Sequence, residues 1–148
     1  MLIKKLENVF FQENTHLIEV LDKNRGIWNG NKERGYGIAV LSHNALRFGI
    51  PLRSHIRHNF CFYTTRDKTK GLDYSKSVLL HKDEYISDNP FMIPSDEYKA
   101  IKEKTYYIEA MFIKYVTRYI ESVRKNDQNV LRLYYYSTLK NYHVELGI

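Results

Sequence analysis

The stretch YGIAVLSHNALRFGIP, residues 36–51, holds two runs rich in β-branched and aromatic side chains, parted by His43 and Asn44. Short apolar runs of this kind around a polar turn pair predict a β-hairpin. Working outward, NFCFYT (59–64) reads as a third strand of the same sheet and KSVLL (76–80) as a fourth. The basic segment TRDKTKGLDYS between them reads as a loop.

Upstream, residues 4–11 read as a strand. Asn14 or Thr15 then caps a short helix that carries Leu17, Ile18 and Leu21 on one face. Downstream, FMIP (91–94) is a brief extended piece, and Ser95 is expected to N-cap a helix with Asp96 and Glu97 in its first turn. Ile101, Ile108, Phe112, Tyr115, Val116, Tyr119 and Val123 then recur at helical spacing, which predicts one long amphipathic helix kinked near Lys104. VLRLYYY (130–136) fits helix or strand, and Ser137 is expected to cap a last short helix. The fold class is α+β: a small antiparallel sheet first, helices mainly after it.

At 148 residues the chain fits one domain spanning 1–148. Its hydrophobic share of 43% and charged share of 27% exclude wholesale disorder. Thirteen tyrosines stand out; nine lie at or after Tyr98 and are expected to pack a helical layer with their hydroxyls at water. With no long apolar run and no signal-peptide pattern, the expectation is a cytoplasmic protein with no membrane partner. Cys61 is the single cysteine and reads as a buried small residue.

The net charge is +6, and the window 47–70 alone carries +5, from Arg47, Arg53, Arg57, Arg66, Lys68 and Lys70 against Asp67. Within it, GIPLRSHIRHNF (49–60) places Arg53, Ser54, His55, Arg57 and His58 on one short segment with no acid. A solvated basic face is the plain explanation; the added hydroxyl and imidazoles favour a phosphate-binding surface. There is no phosphate-loop or dinucleotide fingerprint, so no nucleotide cofactor is expected. No metal is expected either, because His55 and His58 lack a third ligand nearby and two arginines would repel a cation. The same residues suit metal-free RNA cleavage by the 2′-hydroxyl, which needs a base, an acid and donors to the phosphorane, and on composition alone a nonspecific nucleic-acid-binding module fits almost as well. The polar loop DKNRGIWNGNKERG (22–35), with Arg25, Lys32 and Arg34, is a candidate functional loop.

RGYGIAV (34–40), FGIPLRSHIRH (48–58) and PFMIP (90–94), in that order, resemble the motifs of the endoribonuclease toxins of type III toxin–antitoxin systems. That is the ToxN/AbiQ group with its CptN and TenpN relatives; GLDYSKSV (71–78) and YSTLKNYHVELGI (136–148) bring the chain nearest to TenpN. The resemblance covers residues 4–94 and the tail.

It implies a compact, highly bent antiparallel sheet with helices around it. It further implies metal-independent, sequence-specific cleavage leaving a 2′,3′-cyclic phosphate, and no cofactor. The implied partners are cellular or phage RNA as substrate and a repeated pseudoknot RNA antitoxin that the protein also processes, with assembly through that RNA. By position, Ser54 matches the family's active-site serine and Arg53 stands where its threonine precedes that serine. The family's nearby lysine has no match, since His55, Arg57 and His58 fill that region. Its basic residue before the glycine-containing strand corresponds to Arg34 or Lys32.

The expected catalytic set is therefore Ser54 and Arg53 on the scissile phosphate, His55 or His58 for proton transfer, and Arg34 or Lys32 for charge neutralisation. Arg25, Arg57, Lys68, Lys70 and Lys76 would extend the RNA-binding surface, although Lys76 also reads as an exposed strand residue. His16, His43 and His81 read as surface or packing positions. The alternatives are a non-catalytic RNA-binding protein and a protein adaptor using the tyrosine-rich face.

Overall fold

The computed structural model describes residues 1–21, 23–24, 27–28 and 36–148. Arg25, Lys32 and Arg34, and most of the loop expected to be functional, lie outside the described residues.

The hairpin forms as expected. Strands β4 (Gly37–His43) and β5 (Leu46–Arg53) pair antiparallel from Ile38↔Pro51 to His43↔Leu46. The turn is Asn44–Ala45, one residue later than the sequence suggests, and both residues have positive φ, at 50° and 62°. Two left-handed residues match the twist of the flanking strands, and asparagine tolerates that region well.

Around the hairpin runs a seven-stranded sheet, with β1 (Leu2–Leu6) beside β4, and β9 (Ile86–Pro90) beside β1 at that edge. On its other side β5 changes partner along its length. Its Phe48–Gly49 portion pairs with β8 (Val78–Leu79), and its Leu52–Arg53 end pairs with β7 (Gly71–Asp73). The change falls at Ile50–Pro51, where the proline has no N–H to give a ladder. β6 (Cys61–Tyr63) closes this edge by pairing with β7, and a separate two-stranded ribbon joins β2 (Lys23–Asn24) to β3 (Ile27–Trp28).

Two expectations are corrected at the N-terminus. The strand ends at Leu6, and VFF lies in helix α1 (Asn8–Glu13), where Phe10 packs edge-on against Tyr85 at 5.3 Å between ring centres. Asn14 closes this helix instead of opening one: its buried side-chain amide donates to the Phe10 carbonyl at 2.7 Å, and no helix follows over residues 15–21. The basic loop also hides β7, and the extended piece expected at FMIP lies earlier, as β9.

The helical half follows the sequence more closely. Helix α2 (Ser95–Glu103) ends at Lys104 and α3 (Thr105–Arg124) begins directly after, so the expected kink is a break. Ser95 is the first helical residue and makes no capping bond; Pro94 holds the cap position. VLRLYYY resolves as helical, through α4 (Gln128–Leu131) and a 3-10 turn (Arg132–Tyr134). Ser137 does cap the last turn, accepting from the Leu139 N–H, but the element is a 3-10 helix (Thr138–Tyr142).

The core lies between the sheet and α3. Ile38, Ile50, Leu72, Ile108 and Phe112 are fully buried, and Phe48 meets Phe112 edge-on at 5.1 Å. Truncating a ring buried this way costs about 3–5 kcal/mol. The tyrosines divide: Tyr115, Tyr119 and Tyr134 pack inside and bond there, with Tyr115 donating to Ser137 Oγ and Tyr134 to the Tyr115 carbonyl, each at 2.8 Å. Tyr98, Tyr106, Tyr107, Tyr135 and Tyr136 are exposed.

Candidate functional site

Strand β5 delivers the basic turn. Its register with β7 sets Arg53 opposite Gly71, so Asp73 is the diagonal neighbour on the same face, within reach of a long side chain. Arg53 Nη1 donates to Asp73 Oδ2 at 2.7 Å. The Asp73 side chain is completely buried, while Arg53 keeps 29% of its side chain exposed. Asp73 Oδ1 accepts from the Ser75 hydroxyl at 2.6 Å and the Ser75 N–H at 3.0 Å, capping the 3-10 turn Tyr74–Lys76.

His58 completes this cluster. Its Nδ1 accepts from the Phe60 N–H at 3.1 Å, so the proton sits on Nε2, which lies 3.2 Å from Asp73 Oδ2. Both ring nitrogens are thus engaged inside the protein. Burial alone would raise the Asp73 carboxyl, and it is the strongest single influence; the bonds from His58, Ser75 and Arg53 together outweigh it and hold the group below the ordinary aspartate range.

After Arg53 the chain turns outward. Ser54 and His55 are exposed, and His55 takes a left-handed conformation, φ 58°, uncommon for a residue with a side chain. The turn is anchored beyond them by buried Ile56, whose N–H donates to the Thr69 carbonyl at 2.9 Å. Arg53, Ser54 and His55 line an open groove of about 880 Å³ together with Lys70 and Glu97. Its apolar wall includes Phe91 and Met92. Phe91 lies so close to Gly37 that a Cβ there would sit 2.5 Å from its ring, which is why this strand needs glycine.

The structure therefore brings Arg53, Ser54, His55 and Lys70 to one groove. Arg57 and Lys68 are exposed outside its lining, and His58 sits with Asp73, beyond Arg53. Lys76 corrects its expected placement on an exposed strand. It lies in the 3-10 turn with 14% of its side chain exposed, and its ammonium donates to the carbonyls of Glu19 at 2.8 Å and Tyr136 at 2.9 Å. Burial chiefly, against the pull of Glu19, holds this amine below the ordinary lysine range.

The one acid of the basic window is used within its own loop. Asp67 Oδ1 accepts from the hydroxyls of Thr65 and Thr69, at 2.6 and 2.8 Å, and these bonds hold its carboxyl low. Cys61 is half-buried, and desolvation pushes its thiol up to about 11, so it is a poor nucleophile. No helix among the described residues is long and apolar enough to cross a membrane.

Asp73 and Glu97 are the site residues that sequence reading missed. Asp73 had a signal, an acid set between Leu72 and Tyr74. Glu97 had none beyond its place in a helix's first turn, where acids are ordinary.

No family model, no curated protein and no solved structure matches this chain.

Proposed function

We propose that this protein is a sequence-specific, metal-independent endoribonuclease toxin of the type III toxin–antitoxin kind. In that role it acts on cellular or phage RNA in the cytoplasm and is inhibited by a repeated pseudoknot RNA that it also processes. The setting would be abortive infection as a phage defence. The observation that carries the proposal is the delivery of Arg53, Ser54 and His55 by the end of β5 into one open groove, with Lys70 on the adjacent strand connection.

In the proposed reaction the 2′-hydroxyl attacks phosphorus, a 2′-O–P bond forms, and the P–O5′ bond breaks to leave a 2′,3′-cyclic phosphate. The Ser54 hydroxyl and the Arg53 guanidinium donate to the nonbridging oxygens as their charge grows. His55, whose ring bonds to no described residue, takes the proton from the attacking 2′-hydroxyl and returns it to the departing O5′. His58 is unsuited to that task because its Nδ1 already accepts from Phe60.

The deciding experiment is incubation of purified protein with RNA in EDTA. Discrete fragments ending in cyclic phosphate support the nuclease. Binding without cleavage supports a non-catalytic RNA-binding protein instead, a reading favoured by the single free imidazole that the described residues bring to the groove.

A further inference from the structure

We propose that Glu97 makes the groove a nucleobase-reading pocket, in which its carboxylate accepts the exocyclic amino group of an unstacked base. This rests on the groove receiving single-stranded RNA. A mismatch of charge points to it. Glu97 is 8% exposed and lines a groove whose other charged members, among the described residues, are cations. A carboxylate there repels phosphate, so it does not serve the backbone of the ligand that Arg53 and Lys70 would hold.

Glu97 is also short of donors. Its Oε1 accepts from the Thr64 hydroxyl at 2.6 Å, and Oε2 receives no hydrogen bond from a described residue. With Oε2 unpaired but not sealed from solvent, the carboxylate keeps an acceptor open to a donor that enters the groove. Thr64 itself is fixed, because its N–H donates to the Lys70 carbonyl at 2.9 Å. The carboxylate is thereby tied to the strand connection that carries Lys70, a candidate phosphate contact.

The rest of the pocket suits a base. Phe91 presents a ring held against Gly37, and Met92, 83% exposed, adds a flexible apolar surface beside it. Bases stack on aromatic side chains without regard to sequence, so selection falls to the polar group at the edge. Adenine, cytosine and guanine carry an amino group that a carboxylate accepts. Uracil offers only an N–H set between two carbonyl oxygens, which would face the carboxylate and repel it. The pocket therefore rejects uracil.

The test uses the full chain and short 2′-fluoro homopolymers of adenosine, cytidine, uridine and purine riboside, which no 2′-hydroxyl chemistry can cut. Anisotropy should show the adenosine and cytidine oligomers binding about five- to a hundredfold more tightly than uridine. Purine riboside, which is adenosine without its amine, should fall to the uridine level. Glu97→Gln, checked for folding by its thermal melt, should bring all four within about twofold, whereas Arg53→Gln should weaken all four alike.

Equal binding of uridine and adenosine by the native chain, or of adenosine and purine riboside, overturns the pocket, and so does a preference that survives Glu97→Gln. The purine riboside comparison decides the matter even if the variant does not fold. Failure to cut ordinary RNA while the preference persists would remove the nuclease and keep the pocket. Cutting without the preference would do the reverse.

Discussion

Arg53 Nη1 and Asp73 Oδ2 stand 2.7 Å apart across the β5–β7 pair, one partner wholly buried and the other reaching the groove. The bond spends one edge of the guanidinium on the protein interior and leaves the remainder for a ligand. It also fixes the guanidinium's direction. A planar fork restrained in this way loses less freedom on binding a phosphate than a free lysine would.

Asp73→Asn tests that relationship. The amide keeps the shape but loses a charge-assisted acceptor, which should lower stability by about 1.5–3 kcal/mol. The native carboxyl is depressed in the folded state. Its contribution is therefore complete above the unfolded value near 3.8 and is lost as pH falls through the folded value. Urea melts should show the native chain and the variant far apart at neutral pH and converging in acid. A gap that persists at the lowest pH would mean the carboxylate's charge is not what stabilises the cluster.

The two imidazoles of the turn should separate cleanly. His58→Ala removes a donor to buried Asp73 and should cost about 1–3 kcal/mol of stability. His55→Ala should leave the melt within about 0.5 kcal/mol of native, as for an exposed position, and lower the cleavage rate by about 10²–10⁴. A full-rate His55→Ala protein would take the proton-transfer role from that residue.

Gly37→Ala should destabilise the chain and disturb the groove together, because the new methyl lands on the Phe91 ring. Overpacking of this kind costs about 1–3 kcal/mol. A double variant with Phe91→Ala should recover part of the loss, read as a coupling between the two sites in thermal melts. Additive losses would show that the ring does not fill that space in solution.

Lys68→Ala with Lys70→Ala should weaken binding of a repeated RNA more than cutting of a short one. The salt slope should flatten by up to about one unit for each phosphate that the protein no longer neutralises. An unchanged slope would place this loop outside the RNA interface.

How far the sequence foretold these features depends on how locally each is encoded. The hairpin and α3 were legible because each pattern is long and internally consistent. VFF was not, because three apolar residues fit either period and tertiary packing of Phe10 on Tyr85 decided for helix. The triplet GLD is a strand only by virtue of β5 and β6 on its two sides, β6 lying across the basic loop and β5 further back in the chain. The same holds for the candidate site. Arg53, Ser54 and His55 are consecutive and stood out together. Asp73 and Glu97 reach it through strand pairing and a helix start, contacts that sequence spacing does not reveal.

Ser54→Ala in the EDTA cleavage assay tests the central claim most directly. Ser54 is exposed and bonds to no described residue, so its loss should spare the fold. The native chain should cut RNA with chelator present and leave 2′,3′-cyclic phosphate ends. The variant should melt at the native temperature but cut at least about a hundredfold more slowly. A well-folded Ser54→Ala protein that cuts at the native rate, or a native chain that leaves every RNA intact, would contradict the claim.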